Sequence, residues 1–428
     1  MRLKLIYPDW GHFPLVYRRY IPVMGPAIVA ALTPPDIEVS FTDGRLDSVD
    51  TDCDCDLVAI SLMTSQANRA YEISDAFRRR GIPVVLGGVH VSLMPEEASA
   101  NADAIVIGEA EGTWPGVMDD FRRGRLKKVY RCTSPPEEYP LPRWSIFRAG
   151  IYIPMSSIQV SRGCPVNCDM CSVPQTFGTE FRMFDTDKLL ADLGKLEDCI
   201  FVVNDNLNLA KRRVRKFLKG MAEAGKRWVG LAPLSSAGDR EFLALLKESN
   251  CWAMYIDLSP WVSASLNEVI DGVQVSRAGD YIRRIRDMGI KVIASFVFGF
   301  DHDRPDIFEK TVSFAKRNNI EEAEFHILTP YPKSRLYERL SSEGRLITGD
   351  FSKYSTSSVV FVPKGMTPEE LHEGYLTAWK EFYSSEKYEE TDSGPLIKSF
   401  ACFPMSKKDL LNYKEERWIN SVMKEEVF

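Results

Sequence analysis

Residues 158–171, IQVSRGCPVNCDMC, combine the end of a short apolar strand with three cysteines on the loop that follows it. The cysteines are Cys164, Cys168 and Cys171, and their spacing is C-x3-C-x2-C. Structural zinc usually takes four ligands, commonly with paired C-x2-C spacings, and the sequence has no second pair of that kind. Three thiolates on one tight loop instead predict a [4Fe–4S] cluster in which one iron stays open to a small ligand.

Two other interpretations of these cysteines stay open from the residues alone. The loop could hold structural zinc with a remote fourth ligand, or carry three buried thiols without any metal. The chain has nine cysteines, an odd number, and a disulfide framework is not expected in a large cytoplasmic chain.

The cysteine loop follows the first of six predicted strands that alternate with helices. Such an alternation over about 180 residues predicts a partial or full parallel α/β barrel, in which the chemistry lies on the loops after the strands. The predicted strands are residues 158–160, 200–203, 228–231, 253–258, 291–298 and 323–328, and the predicted helices are 186–196, 210–224, 239–249, 277–288 and 306–318.

An independent series of short apolar strands precedes the barrel. Near-continuous apolar runs suit parallel strands buried on both faces, and the five strand–helix alternations predict a doubly wound, flavodoxin-like domain with a ligand crevice at the carboxyl ends of its strands. The predicted strands are residues 3–7, which are short and apolar, 37–41, which alternate, and the near-continuous apolar runs 57–62, 84–86 and 104–107.

Four regions follow from these patterns: the doubly wound domain at 1–132, a Pro-rich linker at 133–152, the barrel at 153–345, and a small, mainly helical region at 346–428. In the last region, Thr367-Pro368-Glu369-Glu370 has the pattern of a helix start with a capping box. The apolar stripe of Leu371, Tyr375, Trp379 and Phe382 follows it.

Composition restricts the class of protein. The 428 residues carry a net charge of −6 with acids and bases mixed, so nucleic acid is not an expected partner. We expect no membrane span, because no apolar run reaches the roughly 18 residues that one needs. The N-terminus lacks the features of a signal peptide, and we therefore expect a cytoplasmic protein.

The cysteine spacing, placed after the first barrel strand, resembles the radical S-adenosylmethionine (SAM) superfamily. The resemblance implies that the open iron binds SAM, that an external one-electron reductant of the flavodoxin or ferredoxin type supplies the electron, and that SAM yields a 5′-deoxyadenosyl radical. By position in the family's motifs, the implied SAM-binding residues are Met170, Asn204, Asp205, Asp257, Ser259, Phe298 and Gly299.

Two departures from the family's pattern are visible. The Glu that often ends the fourth strand is missing. Either Asp257, Ser259 or Ser263 hydrogen-bonds the ribose or methionine of SAM instead, or SAM sits differently. The segment Thr329–Ser334 resembles the family's "TPYPGT" turn, with Lys333 in place of the usual Gly.

The N-terminal region resembles the cobalamin-binding domain that precedes the barrel in one radical SAM subgroup, to which the hopanoid methylases belong. Gly87-Gly88 and Gly108-Glu109 at strand ends carry this resemblance, and glycine there lets a bulky ligand approach the backbone. The implied cobalamin contacts are Ser61, Thr64, Ser65, Gln66, Gly87, Gly88, Val89, His90, Gly108 and Glu109.

The familiar Asp-x-His-x-x-Gly cobalt-ligand motif is absent, and His12 has the wrong spacing to replace it. A cobalamin bound here would therefore lack a His ligand on its lower face. Two simpler interpretations stay open: the domain no longer binds cobalamin, and His90 only packs beside its strand.

Three functions are consistent with the sequence. The first is a cobalamin-dependent C-methyltransferase acting on an unactivated carbon of a small-molecule substrate. The second is a radical SAM enzyme with another outcome, such as cyclisation, rearrangement or transfer of another SAM-derived group. The third is a non-catalytic sensor that binds the cluster or cobalamin. The sequence assigns neither the substrate nor a catalytic residue.

Overall fold

The computed structural model describes residues 1–9, 21–133, 136, 139–205, 207, 209, 211–263, 269–270 and 273–383. Their main features are two six-stranded parallel sheets, one in each predicted domain. Within these ranges no helix is both long and apolar enough to cross a membrane. Residues 384–428, most of the predicted tail, lie outside the described residues, as do His12 and Asn206.

The first sheet has the strand order β2-β1-β3-β4-β5-β6, which is the flavodoxin-like order with one further strand. Leu5 of β1 lies opposite Phe41 of β2 and Ala59 of β3. The sequence did not predict the sixth strand, a three-residue edge strand with only its central residue buried. The strands are β1 Arg2–Tyr7, β2 Glu38–Asp43, β3 Leu57–Ser61, β4 Val84–Gly87, β5 Ala104–Ile107 and β6 Val129–Arg131.

Helices cover both faces of this sheet. Their apolar sides contact the strands, which buries every residue of β5 and four of the five in β3. The helices are α1 Met24–Leu32, α2 Ala67–Arg79, α3 Val89–Leu93, α4 Pro95–Ala100 and α5 Trp114–Arg122, with 3-10 turns at Thr64–Gln66 and Ala110–Gly112.

The second sheet begins with β7 Ser156–Gln159, and the chain then forms a short antiparallel pair, β8 Ser161–Arg162 with β9 Arg182–Met183. The cysteine loop is the connection between β8 and β9. The other strands are β10 Cys199–Val203, β11 Arg227–Leu231, β12 Cys251–Asp257, the two-residue pair β13 Val269–Ile270 and β14 Val273–Gln274, β15 Lys291–Phe298 and β16 Glu322–Ile327.

The order of the second sheet is β16-β15-β12-β11-β10-β7, so β7 and β16 are its edges and the barrel is a partial one. All six strands predicted for it are present. The helices are α6 Val173–Phe177, α7 Thr186–Ala191, α8 Lys211–Ala224, α9 Arg240–Glu248, α10 Ser259–Ser263, α11 Ala278–Asp287, α12 Ile307–Arg317, α13 Arg335–Ser342 and α14 Pro368–Tyr383, with 3-10 turns at Trp144–Ile146, Leu193–Lys195, Leu234–Gly238, Val275–Arg277 and Phe351–Lys353.

Helix α7 is shorter than expected, because its last predicted turn is the 3-10 turn Leu193–Lys195. Helix α14 begins as its sequence predicts. The Glu370 N–H donates to Thr367 Oγ1 at 3.1 Å, and the Thr367 N–H donates to Glu370 Oε2 at 2.7 Å. Its apolar stripe is buried against α12 and β16.

One hydrophobic core runs through both domains, from Ile6 of the first sheet to Phe382 of α14. A second core covers the other face of the first sheet, and a third fills the lower part of the barrel around Val229, Ala253 and Ile293. The continuous core fixes the carboxyl ends of the first sheet's strands against the barrel, beside the cysteine loop.

Candidate cofactor sites at the domain interface

The cysteine loop lies at the molecular surface. Cys168 is exposed, Cys164 and Cys171 are half-buried, and Val166 between them is 59% exposed. Partial burial raises the pKa of the Cys168 and Cys171 thiols, and the neighbouring cysteines raise it further, so these thiols lie close enough to interact.

Among the described side chains, no three Cys, His, Asp or Glu residues already surround one ion-sized centre. A four-iron cluster offers separate irons to separate ligands, so its thiolates lie farther apart than the ligands of a single ion. Three thiols on one accessible loop fit a [4Fe–4S] cluster that leaves one iron open.

The base of the cysteine loop is fixed from the barrel. The Gly163 N–H donates to Asp205 Oδ2 at 2.7 Å, just beyond the end of β10. Gly163 has φ +81°, and a Cβ at this position would overlap the backbone carbonyl of Glu180. Only glycine fits this conformation and this contact.

The other side of the loop is held by α13. The Leu336 N–H donates to the Asp169 carbonyl at 2.9 Å, and Arg335 pairs with the Asp169 carboxylate at 2.7 Å. Lys333 has φ +63°, the left-handed conformation that favours glycine. The position where the family usually has Gly is therefore a real left-handed turn, occupied here by Lys.

A cavity of about 510 Å³ separates the carboxyl ends of the first sheet from the base of the cysteine loop. Its walls come mainly from apolar side chains of the N-terminal domain, and the barrel closes it with Gln159, Arg162, Phe177 and Asp205. Large, mostly apolar cavities at domain interfaces with a few convergent polar groups are typical cofactor sites.

Six of the ten residues implied as cobalamin contacts line this cavity: Ser61, Gly87, Gly88, Val89, Gly108 and Glu109. Gly88 has φ +109°, and a Cβ there would meet the backbone of Leu62. The glycine is therefore required by chain packing as well as by the cavity wall.

Thr64, Ser65, Gln66 and His90 do not line the cavity. Gln66 is fully buried; its Nε2 donates to the Pro8 carbonyl at 2.6 Å and its Oε1 accepts from the Met63 N–H at 2.8 Å.

His90 is fully buried between Tyr71 and Phe351, and desolvation lowers its pKa. The structure places His90 as a packing residue.

Several polar or aromatic residues of the cavity wall were not among the expected cofactor contacts, including Trp114, Gln159, Arg162 and Phe177. Trp114 comes from α5, and its indole N–H donates to Thr33. The other three come from the barrel, and no sequence pattern near Gln159 or Phe177 indicates contact with the N-terminal domain. Only Arg162 could have been found, because a basic residue directly before Gly163 and Cys164 lies beside the predicted cluster.

Arg162 belongs to an interdomain ion cluster with Glu109, Glu111 and Arg182. Its guanidinium binds Glu109 at 2.6 Å and Glu111 at 2.7 Å, and Arg182 binds Glu109 at 2.5 Å. Burial alone would lower the pKa of Arg162, but the charges and hydrogen bonds of the two carboxylates raise it above its usual value. Glu109 therefore faces the barrel as well as the cavity.

The upper barrel interior carries further polar groups. Asp257 Oδ1 accepts from the Ser259 N–H at 3.0 Å and from its O–H at 2.6 Å. Desolvation raises the pKa of Asp257, and its charge contributes to raising the pKa of Cys168, which places it near the cysteine loop. The Tyr255 O–H donates to Glu324, and His326 lies 3.3 Å from the same carboxylate.

The other implied SAM contacts differ in position. Asn204 is buried, and its Oδ1 has no hydrogen-bond partner among the described residues, so it can accept from a ligand. Met170 is half-buried beside the core.

The end of β15 faces away from the barrel interior. Phe298 packs against Phe308 and Phe325, and a Cβ at Gly299 would touch Leu371 and Phe361. The structure does not bring the Phe298 side chain to the barrel interior, and Ser263 has no described side chain.

The residues present fit two cofactors. Cys164, Cys168 and Cys171 would hold the cluster, and the glycine-lined cavity would hold the corrin. When bound, the cluster supplies one-electron reduction of SAM, and the corrin supplies a carrier for a methyl group.

Comparison with known proteins agrees with this geometry. A family model described as "B12 binding domain" matches residues 22–118, and one described as "Domain of unknown function (DUF4070)" matches residues 334–390. The bacteriochlorophyllide d C-12(1)-methyltransferase of Chlorobaculum tepidum is 30% identical over 374 residues, covering 83% of this chain and 81% of that protein. The hopanoid C-2 methylase of Rhodopseudomonas palustris is 25% identical and covers 77% and 66%.

Two solved structures share the fold. The radical SAM methyltransferase TsrM from Kitasatospora setae, with cobalamin and a [4Fe–4S] cluster bound, superposes with a TM-score of 0.62 at 17% identity, covering 80% of this chain and 78% of that one. The cobalamin-dependent SAM radical enzyme OxsB gives 0.64 at 13% identity, covering 97% and 70%.

The fold and the two sites define a radical SAM enzyme with an N-terminal B12-binding domain. Within that class, the chain belongs to the cobalamin-dependent radical SAM methyltransferases, the family of the bacteriochlorophyllide and hopanoid methylases.

Proposed function

We propose that this enzyme methylates an unactivated carbon of a large, mainly apolar small molecule. The observation that carries the proposal is the single cavity that joins Gly87 and Gly88 of the B12-binding domain to Arg162 and Asp205 at the base of the cysteine loop. A corrin held in this cavity, with the cluster held by the loop whose base closes it, would suit a reaction in which one site activates the substrate and the other delivers the methyl group.

The substrate class rests on the relatives. By their names, these act on bacteriochlorophyllides and hopanoids, which are bulky polycyclic molecules with much apolar surface. We assign the SAM-binding role to Asn204 and Asp257, supported by the orphaned Asn204 Oδ1 and by the position of Asp257 near the cysteine loop. Asp205 is a positioning residue, because its carboxylate holds Gly163.

An external one-electron reductant belongs to this proposal. The exposure of Cys168 and Val166 supports direct access of a small electron-transfer protein to the cluster. We place the reaction in the cytoplasm, where reducing conditions protect such a cluster.

The test begins with anaerobic expression in the presence of cobalamin, cluster reconstitution and measurement of iron, sulfide and corrin per chain. About four irons and a single corrin are expected in wild type. Iron should be lost in the Cys164→Ala/Cys168→Ala/Cys171→Ala variant and kept in a Cys53→Ala/Cys132→Ala control. Candidate polycyclic substrates are then incubated with SAM labelled in its methyl group. Label in the product supports the proposal, and iron without corrin contradicts it.

A second outcome is favoured by one comparison. The anaerobic magnesium-protoporphyrin IX monomethyl ester cyclase of Rubrivivax gelatinosus is 24% identical over 346 residues, covering 72% of this chain and 61% of that protein. A product that gains a ring and no methyl label would support cyclisation instead.

A further inference from the structure

We propose that the interdomain ion cluster couples the two cofactor sites, so that binding of the corrin and binding of the iron–sulfur cluster strengthen each other. The ion cluster consists of Glu109, Glu111, Arg162 and Arg182. The inference rests on the proposed function, because it requires that both cofactors bind.

The interdomain ion cluster joins the loop after β5 to the base of the cysteine loop. Glu109 and Glu111 lie on the loop after β5, the last interior strand of the first sheet. Arg162 and Arg182 lie directly opposite each other in the antiparallel pair β8–β9. This pair forms the base of the cysteine loop, and Arg162 is only two residues before Cys164.

Electrostatics explains why the arginines need the other domain. Like charges directly opposite each other on neighbouring strands destabilise the pair, and Arg162 has only 6% of its side chain exposed, so water screens it poorly. The compensating carboxylates come from the N-terminal domain, and each has only 4% of its side chain exposed. The barrel itself supplies one further carboxylate near the two arginines, that of Asp205, whose side chain is engaged with the Gly163 N–H. The carboxylates that pair directly with Arg162 and Arg182 therefore come from the β5 loop.

Further contacts fix the position of Arg162. Its Nε donates to Gln159 Oε1 at 3.0 Å, and the guanidinium lies over the rings of Phe177 and Phe184 at 5.1 and 5.4 Å. Phe177 ends α6, the helix that follows Cys171. Arg162 therefore contacts the chain on both sides of the cysteine loop.

The same residues border the corrin cavity. Glu109, Glu111, Arg162 and Phe177 all line it. A corrin that orders the β5 loop also orders the carboxylates that hold the base of the cysteine loop. Binding that orders an element shared by two sites makes the second binding event more favourable, and the effect is reciprocal.

The experiment measures this reciprocity directly. The dissociation constant of hydroxocobalamin is determined by anaerobic equilibrium dialysis for the full chain without cluster and for the reconstituted chain. We expect the wild-type chain with its iron–sulfur cluster to bind hydroxocobalamin at least about fivefold more tightly than the same chain without it, which is the lower end of typical coupling between two sites. In Glu111→Gln and in Glu109→Gln, the ratio of the two constants should fall to about one.

Asp120→Asn is the matched control. Asp120 is a buried carboxylate of the same domain that pairs with Arg125 and Lys127, outside the cavity. This variant should keep the wild-type ratio. Each ratio compares one variant with itself, so a general loss of stability or a direct corrin contact lowers both affinities and leaves the ratio unchanged.

The outcomes separate the two proposals. A wild-type ratio of one, with both cofactors bound, overturns the coupling and leaves the proposed function intact. A wild-type ratio retained in both Glu variants also overturns it. Absence of hydroxocobalamin binding in wild type overturns the proposed function itself. The wild-type measurement needs no substitution, so it decides the question even where a variant does not fold.

Discussion

Asp205 Oδ2 accepts a hydrogen bond of 2.7 Å from the backbone N–H of Gly163, the residue directly before Cys164. The two residues lie 42 positions apart in sequence, and the parallel pairing of β7 with β10 brings them together. A polar residue after one strand thus positions the cysteine loop after its neighbour, as is usual at the carboxyl edge of parallel sheets.

The Asp205 contact predicts different effects of two substitutions. Asp205→Asn keeps an oxygen that can accept from Gly163, whereas Asp205→Ala leaves a partly buried N–H unpaired, at a cost of about 1–3 kcal/mol. Iron released to a ferrous chelator should therefore appear several-fold faster from Asp205→Ala, and nearly at the wild-type rate from Asp205→Asn. Equal release from wild type and Asp205→Ala would show that this bond does not hold the loop.

Gly163 should be intolerant of a side chain. Gly163→Ala combines the left-handed conformation, which costs roughly 1–2 kcal/mol for a non-glycine residue, with an overlap against the Glu180 carbonyl. Gly225→Ala is the control, because Gly225 also has a positive φ but no atom close to a Cβ. Chemical denaturation should show a larger loss for Gly163→Ala, together with loss of iron. Similar losses in both variants would contradict the steric argument.

Filling the cavity should block corrin binding without changing the cluster. Gly87 has no positive φ, and a Cβ there would lie 3.7 Å from Val106 Cβ, an ordinary contact beside the cavity. Gly87→Leu should weaken hydroxocobalamin binding at least about tenfold, or ~1.4 kcal/mol, whereas Gly87→Ala should have a small effect. Iron content should be the same in both. Unchanged corrin affinity in Gly87→Leu would place the corrin elsewhere.

Two neighbouring carboxyls predict opposite pH dependence of stability. Burial raises the pKa of Asp303, although the Gly299 and Phe300 N–H groups oppose it. For Asp301, burial is outweighed by the hydrogen bonds of Arg345 and Arg339, and the pKa is lowered. The pKa of an Asp in the unfolded chain is about 3.9. Asp303, with a raised pKa in the folded state, stabilises the fold fully below this value, and the stabilisation is lost as the pH rises through the pKa of the folded state. Asp301, with a lowered pKa, stabilises the fold fully above this value, and the stabilisation is lost as the pH falls through the pKa of the folded state.

The corresponding substitutions should separate in urea denaturation between pH 3 and pH 7. The free energy of unfolding of Asp303→Asn should increase relative to that of wild type as the pH rises, so this variant gains stability. The free energy of unfolding of Asp301→Asn should decrease relative to that of wild type over the same interval. The same sign of change in both variants would contradict the assignment of burial and ion pairing to these two residues.

The architecture was largely predictable from local patterns. Eleven of the twelve strands of the two main sheets were predicted. Most of them are buried on both faces and are therefore short apolar runs that need no knowledge of their partners, and the edge strand β2 was predicted from its alternating pattern. The missed strand, Val129–Arg131, is an edge strand with two exposed residues, and its sequence lacks such a run. The cysteine spacing also identified the superfamily, because its ligands are close together in the chain.

The sites were less predictable, because they depend on where side chains point across distant contacts. Gly87 and Glu109 were expected beside the corrin, and both line the cavity, but Gln66 and His90 turn into the core. The position of Phe298 in the helix-facing layer likewise follows from the strand's alternation in the folded barrel. A motif at the end of a strand therefore predicts where the site lies, but it does not predict which of its side chains point into the site.

The sequence by itself determined the two parallel domains, their order and the three cysteines of the cluster loop, because each is encoded by a short local pattern. The tertiary structure alone decided that Glu109 and Glu111 pair with Arg162 and Arg182 across the domain interface, and that one cavity extends from Gly87 and Gly88 to the base of the cysteine loop. Glu109 and Arg162 lie 53 residues apart in separate domains, and only the packing of the shared core brings their charges together where water cannot screen them.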